Sequence, residues 1–250
     1  MARWVAVCAA LFVMGGAAGA AEVPREKPDV PALACPAPIA AARRFVLVSA
    51  PTMASPTATL RLFSREDAGW TAGRATPVTL GRRGLGWAFD QPANGAKPSA
   101  IKREGDKRTP AGVFRLSGAF GIGPSDLPGY RDVRADDLVC VDDPKNALYN
   151  AIVPWKAAQE ADARSFERMK STRLYRAGLF VDHPTGRAAR GGSCIFLHVW
   201  RAPGRPTVGC VAMAEGPLRA LQAATAGVPS AIAILPEGAH HRLKGCGLPL

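Results

Sequence analysis

The sequence contains no Cys-x-x-Cys pair and no His-Glu-x-x-His run, and it carries only 4 histidines. Those absences remove the spacing that a thioredoxin-like couple or a common zinc site requires, so neither of those is expected. Past Met14 there is no apolar stretch approaching the roughly 20 residues of a membrane-spanning helix. There is no internal repeat and no low-complexity block. Acidic residues are scarce: 20 Asp and Glu stand against 32 Lys and Arg, giving a net charge of +12 and a pI near 10.0. Such a chain gathers near anionic partners, whether nucleic acid, lipid or an acidic wall polymer. Charged residues of both signs make up 21% and apolar residues 48%, which excludes a disordered chain and leaves enough for a core.

The N-terminus narrows the choice of partner. Met1-Ala2-Arg3 is a short positive segment, Trp4 to Met14 is apolar, and Ala18-Gly19-Ala20 fits the small-residue cleavage pattern of a secretory signal. The expected organisation is a signal peptide over 1–20, a Pro- and charge-mixed linker over 21–42, one domain over 43–238, and a basic tail over 239–250. A secreted chain of this kind is not expected to bind nucleic acid or to keep a membrane span once the signal is removed.

Of the 6 cysteines, Cys8 departs with the signal. Cys35, Cys140, Cys194, Cys210 and Cys246 remain, an odd number. In an oxidising compartment at least one thiol stays unpaired.

Short strands dominate the reading of the domain. Phe45–Val48, Ala58–Phe63 and Pro77–Gly81 carry strand patterns, as do Leu179–Asp182, Cys194–Trp200 and Ala231–Leu235. The spacing of Ala157, Ala161, Phe166 and Met169 predicts a helix over 155–172, and Pro217 opens a shorter one to Ala224. The expected class is mainly β with a few helices.

Within this frame, His198 ends a predicted strand. A loop with Pro203, Gly204 and Pro206 reverses the chain, and Gly209-Cys210 follows twelve positions after the histidine. A thiol with a pKa of about 8.5 is mostly protonated at neutral pH, and an imidazole can accept its proton. Gly209 lets backbone approach a substrate, and the N–H groups of Val208, Gly209 and Cys210 are candidates for an oxyanion hole. Cys194 is a rival nucleophile. Four residues of strand at about 3.3 Å each would separate it from His198 by roughly 13 Å, too far for a hydrogen bond. His183 is a second candidate base, but a loop position is its expected role.

The run His198 to Met213, with Thr207-Val208-Gly209-Cys210-Val211 at its centre, resembles the signature of L,D-transpeptidases of the YkuD type. Thr109-Pro110-Ala111-Gly112-Val113-Phe114 resembles that family's upstream segment. Lys102-Arg103-Glu104-Gly105-Asp106, Cys140-Val141-Asp142-Asp143-Pro144, Tyr149-Asn150 and Gly192-Ser193 are similar to one branch of it. The resemblance covers about Arg43 to Leu235. It implies a YkuD-like β-sandwich or barrel and a cysteine acyltransferase in the periplasm or cell wall, acting on peptidoglycan stem peptides. Cys210 would be the nucleophile and His198 the base, oriented by the Val199 carbonyl, and no metal or cofactor would be needed.

Two positions depart from the pattern. Val208 stands where many members carry a second histidine, and Ala212 where many carry an arginine. Arg201, Arg205 and Thr207 are then the substrate-binding candidates. Cys35 and Cys246 flank the domain and are expected to be bridged; Cys140 with Cys194 is a second candidate pair. Four cysteines allow three pairings, and the sequence alone does not choose among them.

Overall fold

The computed structural model describes residues 34–93, 96–97 and 100–250, together with Met1. The rest of the expected signal peptide lies outside the described residues. All elements belong to the unit Ala32–Leu250.

Most of this unit is strand: β1 (Arg44–Ala50), β2 (Thr57–Glu66), β3 (Gly69–Ala72), β4 (Thr76–Thr79), β5 (Leu85–Trp87), β6 (Thr109–Gly121), β7 (Arg131–Asp132), β8 (Leu138–Val141), β9 (Ile152–Pro154), β10 (Phe166–Arg168), β11 (Ala177–Val181), β12 (Phe196–Val199), β13 (Val211–Met213) and β14 (Ser230–Pro236). The helices are few and short: α1 (Ala37–Ala40), α2 (Trp155–Glu160) and α3 (Glu215–Thr225). The chain is mainly β, as its turn-rich composition implies.

The principal sheet runs β1-β14-β6-β11-β12-β13-β4-β2, and β2 pairs back to β1. The sheet therefore closes on itself as a barrel-like layer and leaves none of these eight strands as a bare edge. β1 and β14 pair in parallel from Arg44↔Ser230 to Ala50↔Pro236. Every residue of β14 is buried, which is why its sequence, Ser-Ala-Ile-Ala-Ile-Leu-Pro, shows no alternation. Along β2, Ala58 and Leu60 are buried between the exposed Thr57, Thr59 and Arg61, while Phe63 is buried on the opposite face.

Beside the main core lies a second buried cluster of Phe120, Tyr175, Phe180 and Phe196 with Cys140, Cys194 and Cys210. The rings of Phe120 and Phe180 approach to 4.5 Å between centroids. A small sheet, β10-β8-β9, packs its β8 residues Leu138 and Cys140 into this cluster.

Gly178 on β11 sits in register with His198 on β12 and Phe120 on β6. A Cβ at Gly178 would overlap the Phe120 ring. Gly178→Ala is therefore expected to destabilise the fold by about 1–3 kcal/mol through overpacking, read as a lower midpoint in urea unfolding.

Several sequence expectations are revised. The helix expected over 155–172 stops at Glu160. Asp162 takes a left-handed φ of 51°, and Phe166–Arg168 pair with β8 instead. The strand expected from Cys194 begins only at Phe196, because Cys194 has a φ of 57°. At the N-terminal side, residues read as linker contribute α1, and Ile39 is fully buried. At the C-terminal side, residues read as tail form a 3₁₀ segment, Glu237–Cys246, with Leu243 fully buried. Cys35 is bridged to Cys246, which fastens the two ends to each other, and Cys140 is bridged to Cys194.

Candidate active site

With both disulfides formed, Cys210 is the free thiol among the described residues. It immediately precedes β13, which runs parallel to β12 with Leu197↔Val211 and His198↔Ala212 in register. Side chains alternate along a strand, so Cys210 shares its face with Ala212 and hence with His198. The two occupy diagonal positions about 7–8 Å apart in the backbone, a gap that side chains span. Tyr175 marks the same spot from another element. Its ring stands edge-on to His198 at 5.5 Å between centroids, and it shares a buried cluster with Cys210.

His198 is 6% exposed. Its Nδ1 lies 2.9 Å from the Val199 carbonyl oxygen. A carbonyl can only accept, so Nδ1 carries the proton and Nε2 keeps its lone pair. Burial pushes the imidazole pKa below its usual value, and the bond to Val199 only partly opposes this. His198 is therefore a neutral imidazole at neutral pH. The Val199 carbonyl takes the orienting position expected for it.

The thiol is also held neutral. Burial pushes the Cys210 pKa up to about 12, reinforced by the nearby Glu167 carboxylate and opposed by the Phe196 N–H and Lys102. Its Sγ donates to the Cys194 carbonyl oxygen at 3.3 Å. Glu167, itself pushed up by burial, faces the Tyr175 hydroxyl.

The backbone at Cys210 is clamped. The Cys210 carbonyl accepts from the Thr207 hydroxyl at 2.6 Å and from the Thr109 hydroxyl at 3.3 Å. Thr207 Oγ1 also accepts from the Gly209 N–H at 3.1 Å. Two sequence expectations change here. Thr207 commits its hydroxyl to the turn, so it is not a free substrate contact. The Gly209 N–H is engaged as well. The N–H groups of Val208 and Cys210 have no partner among the described turn and loop residues and remain the oxyanion candidates. Val208 is 71% exposed at the lip of the site, and Arg201 and Arg205 lie exposed on the preceding loop.

His183 is buried in a loop. Its Nε2 lies 2.9 Å from the Gly191 carbonyl oxygen, and its ring stands edge-on to Phe114 at 5.4 Å. This matches the structural role expected for it.

The short motifs noted along the sequence converge beside Cys194. Glu104 accepts from Tyr149 at 2.6 Å and from Ser193 at 2.7 Å. Asn150 Oδ1 accepts from the Cys194 N–H at 3.0 Å, and Asn150 Nδ2 donates to the His183 carbonyl at 3.1 Å. Lys102, almost fully buried, pairs with Asp106 at 2.7 Å. Tyr175 and Glu167 are site residues that sequence reasoning did not single out. Glu167 comes from the segment read as one long helix and Tyr175 from just beyond its expected end, where nothing signalled a strand turning back toward the barrel.

No protein-family profile and no curated protein matches the chain. Among solved structures it is similar to Bd1075 of Bdellovibrio bacteriovorus, at 15% identity and a TM-score of 0.40. The match covers 85% of this chain and 56% of that one, so this chain spans a little over half of its length. Among the described residues no helix is long and apolar enough to cross a membrane, and no group of three or more His, Cys, Asp or Glu is placed to hold a metal ion.

Proposed function

We propose that the chain is a secreted L,D-transpeptidase with a YkuD-like fold, acting on peptidoglycan stem peptides in the periplasm or cell wall. The observation that carries this reading is a lone thiol on the same sheet face as a histidine whose Nδ1 is tied back to its own strand. The family-like motifs of the sequence support it. Two disulfides support an oxidising compartment.

In the proposed reaction, His198 Nε2 takes the Cys210 proton as the sulfur attacks the carbonyl of a stem tetrapeptide that carries the terminal D-Ala. The oxyanion forms under the N–H groups of Val208 and Cys210. His198 then returns the proton to the departing D-Ala nitrogen, leaving a thioester on Cys210. An amine from a second stem attacks the thioester, His198 removes a proton from that amine, and the sulfur leaves to recover the proton. A neutral thiol and a neutral imidazole are a consistent starting state for this sequence. With water in place of the amine, the same site is an L,D-carboxypeptidase.

The test supplies a tetrapeptide donor with and without an amine acceptor and follows products by mass. A cross-linked product together with D-Ala is expected. D-Ala alone would assign the hydrolase, and neither product would leave a wall-binding protein with a structural thiol.

A further inference from the structure

The segment Ser193-Cys194 is held from four directions. Ser193 Oγ donates to Glu104, the Cys194 N–H donates to Asn150, the Cys194 sulfur is bonded to Cys140, and the Cys194 carbonyl accepts the Cys210 thiol. Cys194 reaches this geometry only by adopting a φ of 57°, a conformation that β-carbon-bearing residues rarely take. Two anchors come from distant parts of the chain: Cys140 from the small sheet, and Asn150 from the turn between β8 and β9. The barrel does not need this local conformation, since β12 begins two residues later. What the arrangement does is aim a carbonyl oxygen at the nucleophile.

We infer that the Cys140–Cys194 disulfide is a positioning device for Cys210, holding the Cys194 carbonyl where it keeps the thiol protonated and at rest. An S–H that donates to a carbonyl is stabilised in its neutral form, because the thiolate would face the same oxygen without a proton between them. The disulfide and Asn150 hold that oxygen in place. Breaking the bridge frees Cys194 to relax out of the left-handed region and withdraws the acceptor. Thiolate then forms at lower pH. Cys140 and Cys194 take no part in the proposed chemistry and act through Cys210. The inference rests on Cys210 being the reactive thiol of the proposed transpeptidase, but its test does not depend on turnover.

The test follows alkylation of Cys210 by iodoacetamide from pH 7 to 10.5, located by peptide mass, in the wild type and in Cys140→Ala/Cys194→Ala. The wild-type rate is expected to climb about tenfold per pH unit across the range. The variant's rate is expected to bend away from that slope near pH 10, within the upper end of the range. At pH 8 it should be about tenfold faster, since a hundredfold gain in thiolate is offset by the lower nucleophilicity of a less basic sulfur. Asn150→Ala, with the disulfide intact, is expected to move the curve the same way by a smaller amount. Cys35→Ala/Cys246→Ala removes the other disulfide and is expected to keep the wild-type curve, which separates thiol positioning from general loosening. Circular dichroism confirms that each variant is folded. Curves for wild type and Cys140→Ala/Cys194→Ala that superimpose after scaling would overturn the inference, as would an equal shift in Cys35→Ala/Cys246→Ala. No turnover by the wild type, with the alkylation shift present, would count against the transpeptidase and leave the positioning role standing.

Discussion

Cys210→Ala is expected to abolish both donor turnover and covalent labelling by a carbapenem, an inhibitor class that the family resemblance implies. Intact mass would show an adduct on the wild type and none on the variant. Turnover should fall by on the order of 10⁴-fold or more, since removing a nucleophile leaves only binding and oxyanion stabilisation. The change is local. Cys210 is small and 6% exposed, and deleting one sulfur from a buried site destabilises a domain by about 1–2 kcal/mol. A loss of that size leaves the protein folded, so an adduct that vanishes reports chemistry and not collapse. Cys210→Ser should be nearly as inactive, because a hydroxyl in the same place, facing the Cys194 carbonyl, is a far weaker acid and poorer nucleophile than the thiol. An adduct that persists in Cys210→Ala would remove this residue from the mechanism.

His198→Ala carries the second large effect and a change in the shape of the pH profile. In the wild type, burial holds the imidazole below its usual pKa and the thiol up at about 12. Acylation by the neutral pair should therefore rise with pH as His198 loses its proton, below about 6.5, and stay level through neutral pH. Protonation of His198 at lower pH removes the base. Without the imidazole, the thiol must ionise to solvent. The variant's acylation should be about 10²–10⁴-fold slower at pH 7, with no acid limb and a steady climb toward the thiol's own pKa. A variant that keeps the wild-type shape at reduced amplitude would show that His198 shapes the site and does not carry the proton.

Much of the site was legible because it depends on neighbours in sequence. His198 lies on β12 and Cys210 immediately before the adjacent parallel strand β13, the two joined by one loop, and Val199 bonds the ring from the next residue. The strands with clear alternation or continuous burial, such as β2 and β14, were legible for the same reason. The surround was not. Ala157, Ala161, Phe166 and Met169 fall at helical spacing, yet Phe166–Arg168 gain more by pairing with β8 than by extending a six-residue helix. Local propensity is a weak prior against such tertiary pairing. That exchange brings Glu167 and Tyr175 to the thiol. Cys194 shows the same limit. Its strand-like sequence context, Ile195-Phe196-Leu197, gives no sign that a disulfide and Asn150 hold it in a left-handed turn. Strand spacing therefore separates Cys194 from His198 on a geometry that Cys194 does not have, whereas its bond to Cys140 excludes it as a nucleophile directly.

The Cys35–Cys246 bridge has a consequence beyond folding energy. Because it joins positions 211 apart, it makes nearly all of the domain one covalent ring. A protease that cuts a surface loop anywhere inside that ring yields a nicked but single molecule, with β1 and β14 still paired at the seam. Under non-reducing conditions such a species would migrate as the intact chain, and only a reductant would release its fragments. In a compartment rich in proteases, the first cut would not separate Cys210 from His198.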